Sequence, residues 1–253
     1  MFCLLSKKIL VLPLILTSCS VFAENSVGHG VLTGDVGLVS QYIYRGGVEN
    51  DDIAMQAGLE YAHQSGFSVG YWGSTLDYDA TDETHAHGFE HDIYISYAQE
   101  LHQNWAYKLQ ATSYIYQNGG TVEGEKGEQR KTTSFDVLAE LAYKDLTLGA
   151  AVLLADALSG NAGDVYLSAA YSYALPQDFN LNTSMGVSAY NSHHDDSLLQ
   201  TKKDFAFNEA RIGVSKNIPH LGATASLDYI LGGQDRLGKD LKNHVVLGLK
   251  YNF

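Results

Sequence analysis

The sequence predicts an all-β chain, a 12-stranded antiparallel transmembrane β-barrel, and three observations lead there. Residues 245–253 place Val245, Leu247, Leu249, Tyr251 and Phe253 at every second position, with Val246, Gly248, Lys250 and Asn252 between them. That period of two gives a strand one apolar face and one mixed face. Segments of this kind recur along the chain at about the ten-residue length of a membrane β-strand. The connections between them alternate strictly, short then long. Such alternation puts tight turns on one rim and long loops on the other, the layout of an outer-membrane barrel.

Composition allows this reading. The chain has 253 residues with 17 Tyr, 25 Gly and only 3 Pro, and its mean hydropathy is −0.13. No apolar run of membrane-helix length follows the N-terminal segment, which excludes a transmembrane helix but not a barrel, whose strands hide their apolar residues at alternate positions. A net charge of −13 argues against nucleic acid as a partner.

Residues 1–23 read as a secretory signal. Lys7 and Lys8 supply the basic region, residues 9–16 a short apolar core, and Val21-Phe22-Ala23 a small-residue site with cleavage before Glu24. Leu16-Thr17-Ser18-Cys19 offers the rival, a lipobox with Cys19 lipidated. Both cysteines, Cys3 and Cys19, lie in this segment, so disulfides and thiolate chemistry leave with it. Its loss takes two lysines and no acids, and −13 becomes −15. A short lead, 24–32, precedes the barrel domain, 33–253.

In order, the expected strands are 33–44, 53–62, 67–76, 89–98, 105–116, 134–143, 146–154, 165–173, 179–190, 207–215, 221–230 and 245–253. Short links such as Lys144-Asp145 and His63-Gln64-Ser65-Gly66 use turn formers. The longer links, 46–52, 77–88, 117–133, 155–164, 191–206 and 231–243, are polar. On the outward face, Tyr61, Phe67, Tyr97, Trp105, Tyr107, Tyr143, Tyr171, Tyr173, Phe179, Tyr251 and Phe253 gather near the short turns. Tyr42, Tyr44, Tyr71, Phe89, Phe135 and Tyr229 gather toward the long loops. Strand propensity explains the number of rings; two interfacial girdles explain their placement.

The opposite face carries the charges. Its expected pore-lining residues are Asp35, Gln41, Arg45, Gln56, Glu60, Glu90, Asp92, Lys108, Asp136, Glu140, Glu209, Arg211, Asp228 and Lys250. An Arg or Lys turned to lipid near the midplane costs about 2–4 kcal/mol, so these side chains require a wet or mutually paired interior. Twelve strands lie between the filled barrels of about 8 and the open channels of about 16. The expectation is a narrow acidic lumen passing ions or small polar solutes, or else one filled by paired charges. Arg45, just before Gly46-Gly47, is expected at the mouth, paired with Glu60 or Gln56.

Two stretches resemble known proteins. Residues 34–46, Gly-Asp-Val-Gly-Leu-Val-Ser-Gln-Tyr-Ile-Tyr-Arg-Gly, look like the opening of the TorF family of Gram-negative porins. Residues 54–61, then His63, Ser65-Gly66-Phe67, Gly70, Trp72 and Ser74, continue the likeness. The family usually has Asp where Gln41 stands, and Ile-Ser-Gln where this chain has Gly47-Val48-Glu49. The resemblance implies an outer-membrane barrel and names no solute. The ending at Leu249, Tyr251 and Phe253 resembles the signal read by the barrel-assembly machinery, an expected partner beside outer-membrane lipid and lipopolysaccharide.

Other chemistries find less support. An outer-membrane phospholipase needs Ser and His on the lipid face near the outer leaflet, whereas His63-Gln64-Ser65 falls at a short turn; no enzyme is expected. No cofactor motif occurs. His85-Ala86-His87 near Asp82 and Glu83, and His193-His194-Asp195-Asp196, have spacing that could hold Zn or Cu, but solvated acidic loops are the commoner meaning of such runs and no metal is expected. Residues 118–131 are either a mobile loop or an inward constriction. A non-conducting adhesion, structural or cation-binding barrel acting through its long loops is the alternative function.

Overall fold

The computed structural model describes residues 26–27, 29–81, 87–193 and 195–253, so the signal segment, Cys3 and Cys19 lie outside the described residues. The strands are β1 (Ser26–Val27), β2 (Gly30–Val39), β3 (Tyr42–Tyr44), β4 (Gly47–Asn50), β5 (Ala54–His63), β6 (Phe67–Leu76), β7 (Gly88–Glu100), β8 (Trp105–Tyr116), β9 (Thr121–Glu123), β10 (Gln129–Lys131), β11 (Ser134–Tyr143), β12 (Leu146–Leu153), β13 (Val165–Leu175), β14 (Phe179–Ala189), β15 (Phe205–Ile218), β16 (Ala223–Gly232) and β17 (His244–Asn252). Twelve of them, β2, β5 to β8 and β11 to β17, pair antiparallel with their neighbours, and β17 returns to β2 to close the ring. The little β1 pairs with the start of β2.

The chain turns tightly where its residues permit. Residues 66, 103, 104, 144, 177, 178 and 222 in the short turns all have positive φ, supplied by Gly, Asn and Asp along with Gln and Lys. The long connections leave the strands at the other rim, and among their described residues the segment 40–53 turns inward. Alternation then sorts the side chains. Leu247 and Leu249 of β17, Ile93 and Ile95 of β7, and Leu146 and Leu148 of β12 all project outward and exposed. Their strand neighbours Asp92, Thr147 and Lys250 turn inward.

The lower aromatic girdle stands as expected. Phe67 and Tyr97, Trp105 and Tyr143 pack with ring centres 4.7 Å apart, and Tyr251 stacks with Phe253 at 6.1 Å. The upper girdle differs. Tyr71, Phe135 and Tyr229 are exposed on the outer face, but Tyr42 and Tyr44 are not on it. The first barrel strand starts earlier than expected, at Gly30, and stops at Val39. Beyond it β3 and β4 form a separate hairpin with its tip at Arg45 and Gly46, folded into the barrel. Tyr42, read as lipid-facing, is 5% exposed and packs with Ala54 and Leu76; Ile43 packs on Ile230 and Val246. The chain bends at Ser40-Gln41 and leaves the wall, which carries Tyr42 and Ile43 into buried clusters inside.

A second irregularity lies opposite. Between β14 and β15 the register shifts at Gly186/Val187, leaving Asn208 as the extra residue. This bulge turns both Asn208 and Glu209 inward and buried, while Phe205 faces out. The closing seam of β17 with β2 holds five register pairs, Gly248↔Val39 to Asn252↔Asp35.

Candidate functional site: a hairpin across the lumen

The inward hairpin builds the site from one end. Asn50 donates its side-chain N–H to the Thr75 carbonyl at 2.9 Å, anchoring the hairpin's base on β6. The Tyr78 hydroxyl donates to Glu49 at 2.6 Å. Gln41, expected on the pore wall, lies at this base, within hydrogen-bond distance of the Asp51 carboxylate and of His244 (3.2 Å). From there the strand crosses the interior. The Tyr42 hydroxyl donates to Glu90 (3.1 Å) and the Tyr44 hydroxyl meets that of Tyr114 (3.2 Å).

Arg45 reaches the far wall. Its Nη2 donates to Asp136 Oδ2 at 3.0 Å, not to Glu60 or Gln56 as its sequence neighbourhood suggested. The guanidinium lies over the rings of Tyr44 (4.8 Å) and Tyr166 (4.6 Å), inside the range of a cation–π contact. Tyr114 also donates to Asp136 Oδ2 at 3.1 Å, and Tyr166 to Glu209 at 3.3 Å. The difference is geometric: a residue at the end of a wall strand meets adjacent strands, whereas one at a hairpin tip spans the bore. Gly46 has φ +82° and comes so close to the wall that an added Cβ would sit 2.7 Å from the Asn208 carbonyl oxygen.

Beneath the hairpin is a cavity of about 460 Å³ that runs down to Thr33 and Asn252 at the short-turn rim. Asp35, Gln56, Glu60, Asp92, Lys108, Asp136, Glu209, Arg211 and Lys250, all expected on the inner wall, border it along with Arg45. Glu90, Glu140 and Asp228 also point inward but are buried and do not border it. Bases stand beside acids: Arg45 with Asp136, Lys250 with Asp35 (3.7 Å), Arg211 with Glu209 (3.7 Å), and Lys108 opposite its register partner Glu140. Tyr94, not singled out from the sequence, donates to Glu60 at 3.0 Å; its even position among inward-facing β7 residues was the available signal. Asp136 Oδ1, Glu209 Oε2, Asp92 Oδ1 and Gln110 Oε1 receive no hydrogen bond among the described residues.

Above the hairpin the long loops tie together. Arg130 is 3% exposed; it donates to the carbonyls of Ala157 (2.8 Å) and Gly160 (3.1 Å), to Asn161 Oδ1 and to Asp196, both at 2.6 Å. Arg236 joins Asp164 (2.9 Å) and Thr201 and lies over Tyr190. Burial alone would raise the Asp196 carboxyl, but the Arg130 hydrogen bond and the Leu198 and Leu199 amides outweigh it and hold it below the usual Asp range. Glu128, hydrogen-bonded by its own, Ser197 and Lys126 amides, is likewise held low. Residues 118–131 thus do not border the cavity. They carry the β9–β10 hairpin of a loop cap, and the segment that enters the barrel is the hairpin of β3 and β4.

The remaining candidates are at the rims. His63 Nδ1 and Ser65 Oγ lie 2.7 Å apart within the exposed short turn. Asp82, Glu83, His85, Ala86 and His194 are outside the described residues. His87 is exposed and His193 contacts Asn191; no group of three or more His, Cys, Asp or Glu is placed to hold a metal among the described residues.

Comparison with known proteins supports the fold. The chain is similar to the KdgM porin, with a TM-score of 0.52 and 8% identity over 87% of this chain and 99% of that one. It is also aligned with the outer membrane protein OprD from Pseudomonas aeruginosa (TM-score 0.44, 14% identity, 91% of this chain and 67% of that one). The Salmonella typhi OmpF complex with daunomycin gives 0.43 and 10% identity over 88% and 97%. Of these, the KdgM likeness supports the barrel architecture, and it concerns architecture alone. A search of curated protein sequences found no match. The sequence itself settles kinship at the level of the family: residues 23–241 match the model described as "Bacterial protein of unknown function (Gcw_chp)", and the chain belongs to that family.

Proposed function

We propose that the protein is an outer-membrane, porin-like channel for passive diffusion of ions or small polar solutes, without enzymatic activity, narrowed by the hairpin at residues 42–50. One observation carries this reading: an apolar exterior encloses a cavity of about 460 Å³ bordered by ionisable groups that reaches the short-turn rim. Porins are the structural neighbours of the fold, and the likeness of residues 34–46 and 54–74 to TorF-family porins supports the same assignment. Lipid is the solvent that suits the outer belt, where Leu247 is 58% and Ile95 56% exposed. Lipopolysaccharide at the loop rim and the barrel-assembly machinery acting on β17 are the partners that go with this location.

The test is single-channel recording in planar bilayers with wild type and Arg45→Ala. Discrete conductance steps are expected for wild type, and larger ones for the variant. Silence from both folded proteins removes the channel. A second reading draws on the loop cap tied by Arg130 and Arg236, a non-conducting barrel that acts through its loops; it requires that same silence.

A further inference from the structure

The channel reading leaves open what enters, and Arg45 bears on it. Its guanidinium is carried on a tether across the lumen and set into a receptacle on the opposite wall. The receptacle comprises the Asp136 carboxylate at 3.0 Å, the Tyr166 ring at 4.6 Å, and the Tyr114 hydroxyl holding the same Asp136 oxygen at 3.1 Å. Tyr166 is itself fixed by Glu209. Carboxylate plus aromatic face is the chemistry that recognises a planar cation with N–H donors.

Three further features bear on how the receptacle is built into the wall and how its occupant is held. Asp136 is nearly fully buried, with a side chain 4% exposed, yet its Oδ1 receives no hydrogen bond among the described residues. Glu209 Oε2 likewise receives no hydrogen bond among the described residues, with the Arg211 guanidinium 3.7 Å away. The Arg45 side chain, by contrast, is 31% exposed and borders the cavity together with Asp136, Tyr166 and Glu209. Its backbone is held at φ +49°, a left-handed conformation uncommon for a residue other than Gly, Asn or Asp. The wall half is buried and hydrogen-bonded, and the plug half is partly exposed and holds a left-handed backbone.

We propose that the Asp136–Tyr166 receptacle is a recognition site for small guanidinium-bearing solutes. Arg45 occupies it as an intramolecular stand-in, so that solute binding and withdrawal of the hairpin are one competition. This rests on the channel reading for its biological sense but not for its chemistry. A tethered group presents an effective concentration in the millimolar range. Free guanidinium solute displaces Arg45 once its concentration exceeds that range, and binds far more readily where Arg45 is absent.

Titration calorimetry on detergent-solubilised full-length protein, with methylguanidinium as probe, tests this. Arg45→Ala is expected to bind the probe at least about tenfold more tightly than wild type, because the tethered competitor is gone. Asp136→Asn added to Arg45→Ala is expected to abolish that gain. Tetramethylammonium, which has no N–H donor, is expected to bind neither. Equal affinity of wild type and Arg45→Ala, persistence of binding without the Asp136 charge, or equal binding of tetramethylammonium overturns the proposal. Heat-modifiable gel migration reports barrel integrity, and Arg45→Gln replaces Arg45→Ala if the latter fails to fold. Tight probe binding by a protein silent in bilayers keeps the receptacle and removes the channel; conductance without probe binding does the reverse.

Discussion

Arg130 shows how much one buried cation can organise. Its guanidinium joins residues 157, 160, 161 and 196 from two other loops. Removing a buried charge strands its partners, at about 3–5 kcal/mol. Arg130→Ala is therefore expected to free residues 154–164 and 190–204 to protease while the strands stay protected, read by limited proteolysis and mass spectrometry. The cap should also respond to acid. The folded Asp196 carboxyl lies below its ordinary value, so its ionised form stabilises the folded loops. That contribution is complete above the ordinary Asp value of about 3.9 and is lost as pH falls through the lower folded value. Loop protection should be level from neutral pH to about pH 5 and should fall only below about pH 4, measured by amide hydrogen exchange of the loops corrected for its intrinsic pH dependence. None of this was legible beforehand. Arg130 sits in a polar stretch whose sequence gives no periodicity, and its partners lie 27 to 66 positions away.

The hairpin makes the corresponding point for elements. Gly46 takes φ +82° at the tip and touches the wall at Asn208. Gly46→Ala places a Cβ there and imposes a left-handed alanine, about 1–3 kcal/mol against docking. The expected outcome is a folded barrel with higher mean conductance, measured in the same bilayer assay as the wild type. Periodicity located all twelve barrel strands because each alternates over eight or more residues against two different solvents. It misplaced Tyr42 and Tyr44 because Tyr-Ile-Tyr alternates just as well when it leaves the wall. Only three-dimensional closure reveals that the chain has bent at Ser40-Gln41. The β15 bulge was hidden for a similar reason. Asn208 and Glu209 both face inward, which no strict period of two allows.

At the level of the whole molecule, two solvents dictate the design: an apolar exterior, and an interior where acids and bases stand opposite one another. Leu227 and Leu247, register partners on β16 and β17, are both more than half exposed in the outer belt. Leu247→Arg is expected to cost about 2–4 kcal/mol, read as a lowered urea midpoint for folding into lipid vesicles, whereas a change at His63 on the turn should cost nothing measurable there. The wall residues of the candidate site were legible, since ionised side chains spaced by two along a strand share the face opposite its apolar residues, and the structure turns that face inward. Their pairing was not: Asp136 and Arg45 stand 91 positions apart and meet only because the chain closes into a ring and then crosses it. The closing seam has a consequence of its own. Five register pairs hold the hoop shut, extended by backbone hydrogen bonds between Gly34 and Phe253 at one end and from Ser40 to Leu247 at the other. The two staves concerned are also the most remote along the chain. They must find each other last on assembly, and a hoop strained by heat or by a passing load should part first at that clasp.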